Sequence, residues 1–117
     1  MSPASRSGHV SREDSSRAVT AFSALGDETR LWLVRRLCEG GPQSITQLAS
    51  GAAVTRQAIT KHLGVLSRAG LTHDVRRGRE RIWDLEPERL AEAGRYLEEI
   101  ARQWDEALGR LKKFVEG

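Results

Sequence analysis

Thr55, Arg56, Gln57, Thr60 and Lys61 crowd one short segment, and four arginines, Arg76, Arg77, Arg79 and Arg81, follow soon after it. Guanidinium and carboxamide groups can make paired hydrogen bonds to the edges of guanine and adenine, and clustered cations displace the counterions condensed on phosphates. Over residues 55–83 seven Lys/Arg stand against two Asp/Glu, a net charge of +5 in a quarter of the chain. The whole protein carries only +3, because residues 1–54 contribute +1 and residues 84–117 contribute −3. The positive charge is therefore local, and it points to a polyanion, double-stranded DNA, as the partner.

The elements that must position these residues are legible as hydrophobic periodicity and its interruptions. Residues 1–16 are polar and aperiodic and are expected to form a flexible N-terminal arm, with one folded domain over residues 17–117. Ala18, Val19, Phe22 and Leu25 mark a first helix that stops at Gly26. Asp27 caps a second helix over 28–39, with Leu31, Leu33, Val34 and Leu37 as its buried stripe. Ser44 and Gln47 are spaced as a capping box for a short third helix ending near Gly51. Thr55 then caps a fourth, in which Ile59, Leu63, Leu66 and Ala69 repeat at helical spacing up to Gly70.

Beyond Gly70 the period shortens to two. Leu71, His73 and Val75 alternate, a turn falls at Arg77, Gly78 and Arg79, and residues 82–85 return as the second strand of a hairpin. Pro87 opens a last helix of nearly thirty residues, along which Leu90, Ala93, Leu97, Ile100, Trp104, Leu108, Leu111 and Val115 recur every three or four positions. The fold class is mainly α with a β-hairpin: a winged helix-turn-helix. The last helix carries more apolar surface than four short elements can cover, so a partner helix is expected on it.

Four segments in this order carry a family resemblance: Ala24-Leu-Gly-Asp-Glu-Thr-Arg-Leu31, Ala58-Ile-Thr-Lys-His-Leu-Gly-Val-Leu66, Ala69-Gly-Leu71 and Gly78-Arg-Glu-Arg81. Over roughly residues 18–115 the chain resembles the ArsR family of bacterial winged-helix repressors. The resemblance implies that the helix matching residues 55–69 enters the major groove, with Arg56, Gln57, Thr60 and Lys61 at its base-facing end. Thr55 is first a cap and only secondarily a phosphate ligand. His62 is open between a phosphate contact and a packed structural role. Arg77 and Arg79 are expected at the wing tip, gripping the adjacent backbone or minor groove. The resemblance also implies dimerisation through the first and last helices, so Phe22, Leu97, Ile100, Trp104, Leu108 and Leu111 are candidate interface residues in a homodimer that binds an inverted repeat.

Other chemistry has little support. Cys38, His9, His62 and His73 are the whole supply of soft ligands, the segment 44–50 lacks the Cys-x-Cys found in some family members, and the last helix has no histidine. No metal and no other cofactor is expected. Cys38 is read as a small buried hydrophobe near a helix C-terminus, where a thiolate is disfavoured. No Ser/His/Asp set, paired acids or glycine-rich phosphate loop is present, so an enzyme is not expected. With a single cysteine, no leader-like apolar run and no membrane-length segment, the chain is read as soluble and cytoplasmic. A small-molecule effector is not indicated, although Tyr96 and Trp104 could line a pocket. Two alternatives stay open: a ligand- or redox-released sensor of the same fold, and a winged-helix protein-interaction module.

Overall fold

The computed structural model describes residues 12–117, in which five helices and three strands follow one another as α1 (Arg12–Leu25), α2 (Glu28–Gly40), β1 (Gln43–Ser44), α3 (Ile45–Ala49), α4 (Arg56–Arg68), β2 (Thr72–Arg77), β3 (Glu80–Leu85) and α5 (Pro87–Glu116). The helix boundaries are set by local chemistry. Asp27 accepts from the amide of Arg30 at the start of α2, and Ser44 and Gln47 exchange side-chain and backbone hydrogen bonds at the start of α3. After α4 the Gly70 amide donates to Ser67 O and the Leu71 amide to Leu66 O, both at 2.9 Å, the paired bonds of a Schellman ending. Leu66 and Leu71, the apolar pair of that motif, are both fully buried.

Leu33 and Leu37 of α2, Leu48 of α3, Ile59, Leu63 and Leu66 of α4, and Leu71 form the sealed core, with Trp83 closing it from the sheet. Each such leucine contributes about 1.5–3 kcal/mol through removal from water. The strands pair in the order β1-β3-β2, all antiparallel, with Gln43 opposite Trp83 and Thr72 opposite Leu85. The hairpin closes with Arg77 opposite Glu80, leaving Gly78 and Arg79 as a two-residue loop; Gly78 at φ +63° supplies the conformation that a primed turn requires.

Several expectations need correction. The first helix already includes Arg12, the first described residue, where the expected helix opened at Arg17, so residues 12–16 belong to a helix and not to an arm; residues 1–11 of that expected arm, His9 among them, lie outside the described residues. Ser15 and Arg17 explain the extension, because Ser15 Oγ meets the Tyr96 hydroxyl at 3.3 Å and Arg17 pairs with Glu92 on α5. Leu31, placed in the buried stripe of α2, is 47 % exposed, and Cys38 is exposed where a buried position was expected. Both lie off the narrow face formed by Leu33, Val34 and Leu37. Strand β1 was not foreseen: two residues are too few to show a period, and its pairing with β3 spans nearly forty positions of sequence.

Gly70 sits at φ +81°, and a Cβ there would come within 2.6 Å of Arg89 Nη1. Gly70→Ala is therefore expected to destabilise the fold by about 2 kcal/mol, from left-handed backbone strain and displacement of Arg89. Gly109→Ala, at an open position of α5 with no atom within 4 Å of the added carbon, should be neutral or stabilising by up to about 1 kcal/mol. Urea midpoints of the two variants against the parent check the contrast.

Candidate nucleic-acid interface

Helix α4 presents three distinct faces because each residue advances about 100° around the axis. Ile59, Leu63 and Leu66 point into the core, which leaves Gln57, Lys61, Gly64 and Arg68 on the opposite face toward solvent. Arg56, Thr60 and Ser67 share the flank next to the hairpin, where Ser67 Oγ donates to Thr72 O at 3.1 Å. His62 lies on the other flank, toward α2. The helix starts at Thr55, whose Oγ1 accepts from the Ala58 amide at 3.1 Å, so that hydroxyl is committed first to the cap. The Thr60 hydroxyl donates back to Arg56 O at 3.0 Å.

Arginines outside the expected site hold this helix in place. Arg36 of α2 donates from Nη1 to Ser50 O at 3.1 Å and from Nη2 to Gln47 O at 2.9 Å, while its guanidinium lies 5.0 Å from the Trp32 ring centroid. It thereby fixes the turn between α3 and α4. Arg30 Nε donates to Ala24 O at 2.6 Å and Arg30 Nη1 lies 3.2 Å from His62 Nδ1. A guanidinium has only donors, so His62 Nδ1 is the acceptor in this contact. The structural role left open for His62 is thus occupied at Nδ1. Asp27 Oδ2, 3.0 Å from the Arg30 amide and 3.7 Å from His62 Nδ1, completes the cluster. The Arg30 backbone N–H holds the Asp27 carboxyl below the usual carboxylate range; partial desolvation opposes this, and the Arg30 charge reinforces it.

The hairpin divides its arginines between two faces. Asp74, Arg76, Arg81 and Trp83 share one face, with Arg76 directly opposite Arg81. Arg81 Nε donates to Asp74 Oδ2 at 2.8 Å and its guanidinium lies 5.4 Å from the Trp83 ring centroid. Arg76, Arg79 and Arg81 line a surface cleft of about 300 Å³ together with Arg56 from α4, Ser44, Ile45, Thr46 and Glu80. Arg77 belongs to the opposite face of the ribbon, beside Glu80. Of the eight residues expected at DNA, the structure brings Arg56 and Arg79 to one cleft and Gln57 and Lys61 to one outward face; it holds His62 on the far flank and turns Arg77 away from the cleft. Arg76 and Arg81, singled out with Arg77 and Arg79 but not expected at the tip, line this cleft too, and Thr46 was not foreseen there. A two-residue loop of Gly78 and Arg79 makes Arg76 and Arg81 cross-strand partners on that face.

A second surface runs along α5. Leu90 packs against the core and Ala93 is buried, and the same stripe continues uncovered through Leu97, Ile100, Trp104, Leu108 and Leu111, with Trp104 65 % exposed. Phe22 is half-buried and meets Tyr96 edge-on, ring centroids 6.1 Å apart. Among the described residues no three His, Cys, Asp or Glu side chains converge as a metal site, and no helix is long and apolar enough to cross a membrane.

The arrangement has close counterparts. A family described as a helix-turn-helix domain matches residues 25–75. The HTH-type transcriptional regulator Rv2034 of Mycobacterium tuberculosis is 39 % identical over 96 residues, covering 82 % of this chain and 86 % of the relative. The arsenical resistance operon repressor of Escherichia coli is 31 % identical over 84 residues, 72 % of each chain. Among solved structures, an ArsR-like transcriptional regulator from Rhodococcus sp. RHA1 superposes with a TM-score of 0.71 at 36 % identity, covering 85 % of this chain and 92 % of the other.

Asp27 yields a pH dependence whose sign is fixed by its lowered folded-state pKa. Its contribution is complete above the ordinary aspartate range, about pH 4, and is lost as pH falls through the lower folded value. Asp27→Asn retains a good capping side chain but cannot titrate. Urea midpoints followed from about pH 5 to pH 2 should fall more steeply for the parent than for Asp27→Asn; parallel curves would rule out this role.

Proposed function

Since the chain belongs to the ArsR family of winged-helix, DNA-binding transcriptional regulators, which are not enzymes, we propose that it acts as a homodimeric repressor on an inverted-repeat operator. The observation that carries this reading is the apolar stripe of α5, whose Leu97, Ile100, Trp104, Leu108 and Leu111 are 46–65 % exposed among the described residues. A second copy related by two-fold symmetry covers that stripe with its own. Two recognition helices then face the same side of a duplex, about 34 Å apart, one helical turn.

On this reading α4 enters the major groove by its outward face. Gln57 pairs with a base edge and Lys61 follows one turn further along the helix. Gly64, on the same face, has no side chain to hold the helix away from the groove. Occupying a promoter in this way excludes polymerase; one relative of this chain is itself named an operon repressor. The wing follows the phosphate backbone beside the groove, through Arg79 at its tip.

Genomic fragments selected by the protein should carry an inverted repeat, and sedimentation should give a dimer at micromolar concentration. Trp104→Glu places a charge in the stripe at a residue that is 65 % exposed among the described residues. The variant should stay folded by circular dichroism, sediment as a monomer, and bind the full repeat no better than one half-site. A parent protein that sediments as a monomer yet binds the repeat at full affinity would refute the dimer.

A further inference from the structure

We infer that Arg56 is not a base reader but the recognition-helix half of a phosphate clamp, whose other half is Arg76 and Arg79 of the wing. The assignment rests on the reading that α4 enters a groove. Its position in the helix predicts the opposite role, since the first residues of a recognition helix commonly contact bases. Three observations on the fold reverse that expectation.

Arg56 lies about 100° around the helix from Gln57, on the flank that Ser67 joins to Thr72 of the hairpin, while Gln57 and Lys61 point away from the core. It also lines the same cleft as Arg76, Arg79 and Arg81, four guanidinium groups against the single carboxylate of Glu80. Finally, Arg76 stands directly opposite Arg81 on one face of the ribbon, a like-charge pair that is unfavourable in the free protein. Asp74 holds Arg81, but Arg56, Arg76 and Arg79 form no ion pair among the described residues. A group with two anionic oxygens entering the cleft relieves this repulsion and accepts from several guanidiniums at once.

A phosphodiester of the DNA strand flanking the groove has that chemistry, and the cleft lies between the two elements that straddle such a strand. Arg56 then sets the depth and register of α4, and discrimination between bases falls to Gln57 and Lys61. The clamp accounts for part of the affinity for every duplex and for none of the preference among them.

The test uses a half-site duplex and a random duplex of equal length, so that it does not depend on dimerisation. Arg56→Ala should weaken both by the same factor, about tenfold, and make the salt dependence shallower by about one unit of slope. Gln57→Ala should weaken the half-site alone. Replacing single phosphates by neutral methylphosphonate should reveal one position that costs the parent about tenfold and costs Arg56→Ala nothing further. Arg56→Lys, a point charge without the planar fork, should keep the slope and lose part of the affinity. If Arg56→Ala weakens the half-site and leaves the random duplex unchanged, Arg56 reads a base and the clamp is wrong. If the parent holds neither duplex at low salt, the groove reading fails, and the clamp with it.

Discussion

Burial of one face of α4 is the constraint on which the remaining geometry depends. Ile59, Leu63 and Leu66 are fully buried against a core to which α2 and α3 contribute Leu33, Leu37 and Leu48. Once that face is committed, the direction of every other side chain on the helix follows from its angle about the axis. Gln57, Lys61, Gly64 and Arg68 must face outward, Arg56 and Thr60 must lie toward the wing, and His62 must lie toward α2. The site is thus a consequence of packing on the reverse side of the same helix. A rotation of the helix by one residue would turn the polar face partly inward and leave buried cations without partners, which the low-dielectric core penalises heavily.

Arginine divides into two populations that composition alone cannot separate. Arg30, Arg36 and Arg89 each donate to carbonyls at the end of a helix: Ala24 O in the last turn of α1, Gln47 O and Ser50 O at the end of α3, and Ala69 O just after α4. Helix C-termini leave carbonyls without intrahelical partners and carry partial negative charge, so a guanidinium from a neighbouring element satisfies both demands. These three tie the ends of α1, α3 and α4 to α2 and α5, across 6 to 20 positions of sequence, and hold α4 at a fixed angle. Arg56, Arg76 and Arg79 have no such duty and remain on the surface. The positive charge left on this surface is therefore what remains after the fold has taken its share.

Much of the architecture was legible because it is written in short-range chemistry. The Asp27 and Thr55 caps, the Ser44 and Gln47 capping box, the glycine endings at Gly70 and Gly78 and the periodicity of α4 and α5 all involve residues within four positions of each other, and all were located correctly. The misreadings share the opposite property. Residues 12–16 are held in α1 by contacts of Ser15 and Arg17 with α5, some eighty positions away, and β1 exists only through its pairing with β3. The exposure of Leu31 and Cys38 depends on which neighbours reach α2, which periodicity does not specify.

The order of the elements, the polar helix and basic hairpin of the candidate interface, and the unusual apolar length of α5 can all be read from the amino acids alone. Those properties follow from local periodicity, capping and turn chemistry. How the charged residues divide emerges only on folding: Arg56 beside the wing and not beside Gln57, Arg77 away from the cleft that holds Arg76 and Arg79, and His62 bonded to Arg30. The reason is geometric. A residue's type states which bonds it can make, but its direction is set by the face its element buries, and that face is chosen by the other elements of the fold.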